Sequence, residues 1–294
     1  MLRYMHMKTN IINIPNMLGG GVTEVELFYE EVMSAPLAEQ YQFNMQAVSW
    51  IKPYGAIALV LAARHLAKLS ERPVELQNLD NDVHLYLNRM DILSTQYDFL
   101  QSSVSPSEEW DRNPETLNLL ELTTIAGPKD VEKVVTRAER VFNHWLTTPH
   151  LYSLLNVLSE LCANIYQHSG DSQGCVLMQK YDFHSQGKRT VCLAVGDLGC
   201  GIRGSMVRRH GEIGAEPLDY LQEAMQGKTS RANGRGGLGL RTVEQIASAS
   251  GGYLWLRSET AAICRQGANN VQTKQNLPNV AGTQVAVDLD APLN

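Results

Sequence analysis

The chain has little of what would mark several protein classes. Its five cysteines, Cys162, Cys175, Cys192, Cys200 and Cys264, are odd in number and never stand at CxxC spacing, which argues against a disulfide framework or a zinc site and for reduced thiols. There is no basic excess: 25 Lys and Arg against 31 Asp and Glu leave a net charge of -6. General nucleic-acid binding, which needs a cationic stripe to neutralise phosphates, is therefore not expected. Long hydrophobic runs are missing too. The longest, Ala56 to Ala63, falls far short of the roughly 20 residues that span a bilayer, and the opening MLRYMHMKTN has no unbroken apolar core of a signal peptide. The expectation is a soluble, cytoplasmic protein with no membrane partner. Repeats and low-complexity tracts are also absent. What is present, 294 residues at 44% hydrophobic and 19% charged, suffices for two domains with cores of their own.

Up to about residue 100 the pattern alternates between strands and helices. After a weakly patterned start containing Gly19-Gly20-Gly21, the segment Asn44 to Ile51 alternates like a strand, and Pro53-Tyr54-Gly55 breaks it. Ala56 to Leu69 is densely apolar at helical period, Pro73 to Gln77 reads as a strand, and Asn81 can cap a helix over Asp82 to Met90. Strand, crossover helix, strand favours parallel pairing. Gln101 to Pro114 is rich in Ser, Pro and acid without a period, which places a boundary there and predicts domains over 1–105 and 106–294. Beyond it come a strand over Leu117 to Ile125, an exposed helix from Asp130 to Trp145, a second helix after Pro149, and a hairpin of Gly174 to Phe183 with Thr190 to Asp197. Gly201 to Asn233 reads as irregular. A helix over Leu238 to Ser250, stopped by Gly251-Gly252, and strands at Tyr253 to Arg257 and Thr283 to Leu289 complete a mostly antiparallel sheet.

The helix after Pro149 carries the most informative residues. Leu151, Leu154, Leu155, Leu158, Leu161, Cys162 and Ile165 recur at i, i+3/i+4, i+7, and Glu160, Asn164 and His168 run in a line along the flank of that stripe. A carboxylate, a carboxamide and an imidazole at four-residue steps offer a base, a ligand and a donor on one edge. The solvated side of an ordinary amphipathic helix looks the same, and it is two glycine segments downstream that shift the reading towards chemistry.

Asp197-Leu-Gly199-Cys-Gly201 closes a strand with an acid and two glycines. This layout lets backbone approach a planar ligand while Asp197 accepts from an amino group. Gly234-Arg-Gly236-Gly237-Leu238-Gly239 stands directly before a helix, where free N–H groups and the positive dipole end favour anionic oxygen. Lys228, Arg231 and Arg235 lie in or beside that loop and can close over phosphates. Both strings also match GxGxxG, at Gly199-Gly201-Gly204 and Gly234-Gly236-Gly239, and so admit a dehydrogenase that prefers NAD to ATP. The first leads into Ser205-Met-Val-Arg-Arg-His-Gly, which has no convincing helical stripe; the second has no strand before it. Gly227-Lys228-Thr229 resembles a P-loop ending, but Gln222 stands where that motif needs glycine.

Taken in order, ELCANIYQHS, DLGCGI and GRGGLGL resemble the ATP-binding domain of the GHKL family: type II topoisomerases, MutL-type repair proteins, histidine kinases and anti-sigma-factor serine kinases. The match covers roughly Thr116 to Leu289 and implies a two-layer α/β sandwich, the Bergerat fold, binding ATP with Mg2+. It implies Glu160 as general base and Asn164 as the side-chain ligand of the metal, with His168 either contacting phosphate or bracing its helix. Asp197 would read the adenine amino group, with Gly199, Gly201 and Thr283 around the base. Gly236, Gly237, Leu238 and Gly239 would donate to phosphates, and Lys228, Thr229, Ser230 and Arg231 would belong to a lid.

Over Tyr41 to Leu93 the pattern resembles a STAS domain, the fold of anti-sigma-factor antagonists. In signalling members a Ser or Thr that becomes phosphorylated precedes the glycine at the helix start; here Tyr54 precedes Gly55, and self-phosphorylation is not expected. The resemblance implies a docking or oligomerising platform, a homodimer included. The leading functional expectation is an ATP-binding signalling protein with slow ATPase or protein Ser/Thr kinase activity towards a protein partner. The alternative is a non-catalytic, ATP-gated interaction switch.

Overall fold

Short β-prone runs in the first hundred residues can bury only one face, and the helices between them cover it. The computed structural model of the protein describes residues 8–102, 117–228, 239–267 and 270–293. The chain divides into two units, Met1–Arg112 and Asn113–Asn294.

In the first unit, β1 (Thr9–Asn13), β2 (Met17–Leu18) and α1 (Val22–Ser34) precede β3 (Gln40–Asn44), β4 (Trp50–Ile51) and α2 (Pro53–Ser70). β5 (Val74–Gln77), α3 (Asn81–Arg89), α4 (Ile92–Thr95) and β6 (Leu100–Ser102) follow. β1, β3, β5 and β6 form a parallel sheet in that order, and β2 pairs with β4. Ile12, Tyr41, Phe43, Val74, Leu76 and Leu100 are buried, alternate positions along these strands. Of the strand expected over Asn44 to Ile51, only Asn44, Trp50 and Ile51 lie in strands. Pairing ends at Asn44, whose carboxamide donates to Asn13 Oδ1 and accepts from Asn78 Nδ2, and the chain turns before β4. Helix α1 was hidden in the weakly patterned start, although Val25, Phe28, Tyr29 and Val32 are buried at helical spacing. The cap of α3 is Asp80, not Asn81: the Asp80 carboxylate accepts the Asp82 N–H at 2.9 Å.

Tyr54 lies in the first turn of α2 and is 6% exposed, while Gly55 meets the carbonyl of Leu18 so closely that a β-carbon there would overlap it. Pro-Tyr-Gly therefore packs α2 onto the β2 loop.

The second unit begins with β7 (Leu119–Thr124), α5 (Pro128–Phe142) and α6 (Thr148–Asn164), which runs into a π-helical turn (Ile165–Ser169). Then come β8 (Cys175–Phe183), β9 (Lys188–Gly196), α7 (Gly201–His210), α8 (Pro217–Met225) and α9 (Gly239–Ala249). β10 (Tyr253–Glu259), β11 (Ala261–Gln266), β12 (Asn270–Lys274) and β13 (Val280–Pro292) close the unit. The sheet order is β12-β11-β10-β13-β9-β8-β7, antiparallel throughout. Val134 and Ala138 of α5, Leu154, Leu158 and Leu161 of α6 and Val243 of α9 share one core with Val176, Leu193, Val195, Val285 and Val287 of the sheet. Burying each of these Val and Leu side chains fully is worth roughly 1.5–3 kcal/mol.

Two expectations need correcting. The helix expected to reach Trp145 ends at Phe142, and the Trp145 indole turns to donate to the Leu117 carbonyl beneath Lys180, whose Nζ is 4.1 Å from the ring centroid. The segment from Gly201 to Asn233, read as irregular, holds α7 and α8 over its described part. The buried face of α7 is only Gly201, Ser205 and Met206, too narrow a stripe to see in sequence. α8 is held by a reciprocal capping box between Glu216 and Asp219. No helix among the described residues is long and apolar enough to cross a membrane.

Candidate functional site

α6 folds as its stripe dictates, with Leu151, Leu154, Leu158, Leu161 and Cys162 buried and Glu160 and Asn164 half-buried on the flank. After Asn164 the helix widens into the π turn that carries His168. Such turns displace carbonyls from the regular ladder, and here three carbonyls of the turn find side-chain or loop partners. Ile165 O accepts from Ser169 Oγ at 2.6 Å, His168 O from Arg208 Nη2 at 3.0 Å and Cys200 Sγ at 3.2 Å, and Ser169 O from the Cys200 N–H at 2.8 Å. The turn is thereby tied to the loop that follows β9. Burial pushes the Cys200 thiol up, against the pull of the Arg208 guanidinium.

That loop begins at Asp197, which is 4% exposed. Its N–H donates to Thr283 O at 3.0 Å, its Oδ1 accepts the Gly199 N–H at 2.8 Å, and its own carbonyl accepts from Gln284 Nε2 at 3.2 Å. Two glycines make the arrangement possible. A β-carbon at Gly199 would overlap the Ser169 carbonyl, and one at Gly282, where φ is +80°, would overlap Asp197 itself. Asp171 Oδ2 holds the loop from the other side, accepting the Leu198 N–H at 2.8 Å.

Across from Asp197, the Glu160 carboxylate lies against the first residue of α9: a β-carbon at Gly239 would stand 2.5 Å from Glu160 Oε2. Lys228, just beyond α8, has Nζ 3.1 Å from Glu223 Oε2. Between these parts is a cavity with an empty volume of about 790 Å3, part of it open to solvent. Asn164, His168, Asp197, Gly201, Lys228, Gly239 and Thr283 all line it. Glu160 and Gly199 are not among the lining residues; they pack against Gly239 and Ser169, which are. Thr229, Gly236, Gly237 and Leu238, together with Ser230, Arg231 and Arg235, lie outside the described residues. Sequence reasoning missed the apolar wall of Ile202, Met206 and Leu240, as well as Ser169 and Ser205.

The dinucleotide reading fails for a different reason from the one expected. Gly199-Gly201-Gly204 does follow a strand and open a helix, since Ser205 to His210 is helical. However, β9 runs antiparallel to both neighbours, β8 and β13, whereas a dinucleotide site needs a parallel βαβ unit. Gly227-Lys228 follows a helix, α8, so it has no preceding P-loop strand.

Comparison with curated proteins gives no match. Residues 151–292 match the family model described as histidine kinase-, DNA gyrase B-, and HSP90-like ATPase. The matched stretch starts in α6 and ends in β13, so it spans the whole cavity. Residues 151–292 are thus a GHKL-family domain, the ATP-binding type shared by the histidine kinase-, DNA gyrase B- and HSP90-like ATPases.

Proposed function

We propose that the protein binds ATP with Mg2+ in this cavity and acts as a regulator, transferring phosphate to Ser or Thr of a protein partner or hydrolysing ATP slowly, in the manner of anti-sigma-factor kinases. One observation carries the reading: a buried, backbone-fixed carboxylate, Asp197, ends the cavity on one side, and Asn164 lines it one helical turn beyond Glu160, which faces the start of α9. A planar base would sit at the end of the cavity lined by Gly201 and Thr283, with its amino group towards Asp197. Phosphates fit at Asn164, Lys228 and the opening of α9, where helix amides favour anions.

The donor set suits magnesium, which typically takes one or two protein oxygens and completes its shell with water and phosphate. Asn164 Oδ1 would hold it, and bound there it would neutralise phosphate charge. Glu160 would orient the hydroxyl or water that attacks, as general base. Gly199 keeps the loop against the π turn; Gly236, Gly237, Leu238 and Gly239 would donate to phosphate; Thr229 would join Lys228 in the lid. His168 lines the cavity where it can meet phosphate. The first unit would serve as a STAS-like docking or oligomerising platform. With Tyr54 buried in α2 packing, the acceptor would lie on another protein.

The test is incubation of the full chain with γ-labelled ATP and Mg2+, alone and with the proteins encoded beside it. Label on a Ser or Thr of a partner, or released phosphate, is expected. ATP binding with neither would replace the enzyme by a nucleotide-gated interaction module, and failure to bind ATP would overturn the reading.

A further inference from the structure

We propose that Ser258 is a positioning residue that sets the width of the cavity at its Asp197 end and, through it, the choice of nucleotide base; this rests on the ATP reading above. Ser258 is next to last in β10, is 2% exposed and does not line the cavity. Its Oγ donates to Gly282 O at 2.9 Å and accepts the Ile202 N–H at 3.0 Å. Ile202 is in the first turn of α7 and lines the cavity; Gly282 precedes Thr283, which lines it as well. One buried hydroxyl therefore joins the two segments that approach from either side of Asp197.

The surroundings make this tie specific. A β-carbon at Gly201 would lie 2.7 Å from Ser258 Oγ, so the hydroxyl occupies the space the glycine leaves. Ser258 pairs with Thr283 across β10 and β13, and the register shifts immediately after it, between Ser258 and Glu259. Glu259 sits at φ +54°. Bulges of this kind commonly re-aim side chains beside sites. With the ladder irregular from that point, the Ser258 side chain fixes the separation of the α7 turn from the Gly282 turn. Removing it leaves a part-buried amide, Ile202 N–H, and a buried carbonyl, Gly282 O, each short of a partner, and the two walls are then free to separate.

Affinities of the full chain for ATP, GTP and inorganic tripolyphosphate, measured by calorimetry for wild type, Ser258→Ala and Ser258→Cys, test this alongside melting temperature. Ser258→Ala should bind ATP about tenfold more weakly, hold tripolyphosphate within about twofold, and lose much of its preference for ATP over GTP. Ser258→Cys, with a weaker donor and acceptor, should fall between; it also supplies the base ratio if the alanine variant does not fold. A lowered melting temperature with an unchanged ATP-to-GTP ratio would overturn the proposal and leave Ser258 merely structural. Wild type that binds neither nucleotide would overturn the ATP reading and this proposal with it, an outcome distinguished because it appears without any substitution.

Discussion

Asp197→Asn should weaken ATP binding by roughly 10- to 150-fold, the span corresponding to one hydrogen bond to a charged group, about 1.5–3 kcal/mol. The backbone of Asp197 is held independently of its carboxylate, by Thr283 O and Gln284 Nε2, so the substitution should leave the loop in place. The asparagine oxygen can still accept the Gly199 N–H that Oδ1 accepts now. Its nitrogen would then face the amino group of the base, donor against donor. Calorimetric titration measures the change, and an affinity equal to wild type would remove Asp197 from base recognition.

Glu160→Gln should separate binding from turnover. The two side chains have nearly the same volume, so the packing against Gly239 at the start of α9 is retained and the affinity for ATP should stay within about threefold. What is lost is the group able to take a proton from the attacking hydroxyl. General-base contributions are typically 10²–10⁴-fold, and turnover, read as released phosphate or transferred label, should fall by about that factor. Turnover equal to wild type would rule Glu160 out as the base. A parallel fall in ATP affinity would instead assign it to holding the α9 end of the cavity.

Particular residues show how far the sequence alone could be read. The stripe of α6 was legible because burial at helical period leaves a repeating signal, and Asn164, His168, Asp197, Gly201, Lys228, Gly239 and Thr283 converge on one cavity in the structure. The π turn was not legible: it depends on Arg208, Cys200 and Ser169 supplying partners to displaced carbonyls, and those contacts join residues up to 40 positions apart. The close approach of Gly199 to the Ser169 carbonyl and of Gly282 to Asp197 is tertiary in the same way. α7 escaped because three buried positions make a weak stripe, and the strand expected over Asn44 to Ile51 was misplaced because side-chain bonds among Asn13, Asn44 and Asn78 end the pairing where alternation continues. Ser258 carried no sequence signal, since its importance lies in what its hydroxyl spans.

Entry of ATP into this cavity is read most directly by amide hydrogen exchange of the full chain with and without ATP and Mg2+. Slower exchange on nucleotide binding is predicted together in the π turn Ile165–Ser169, in residues 197–202 and at Gly282 and Thr283, the three segments that meet around Asp197. Saturating ATP that leaves all three segments exchanging as in the free protein would contradict it.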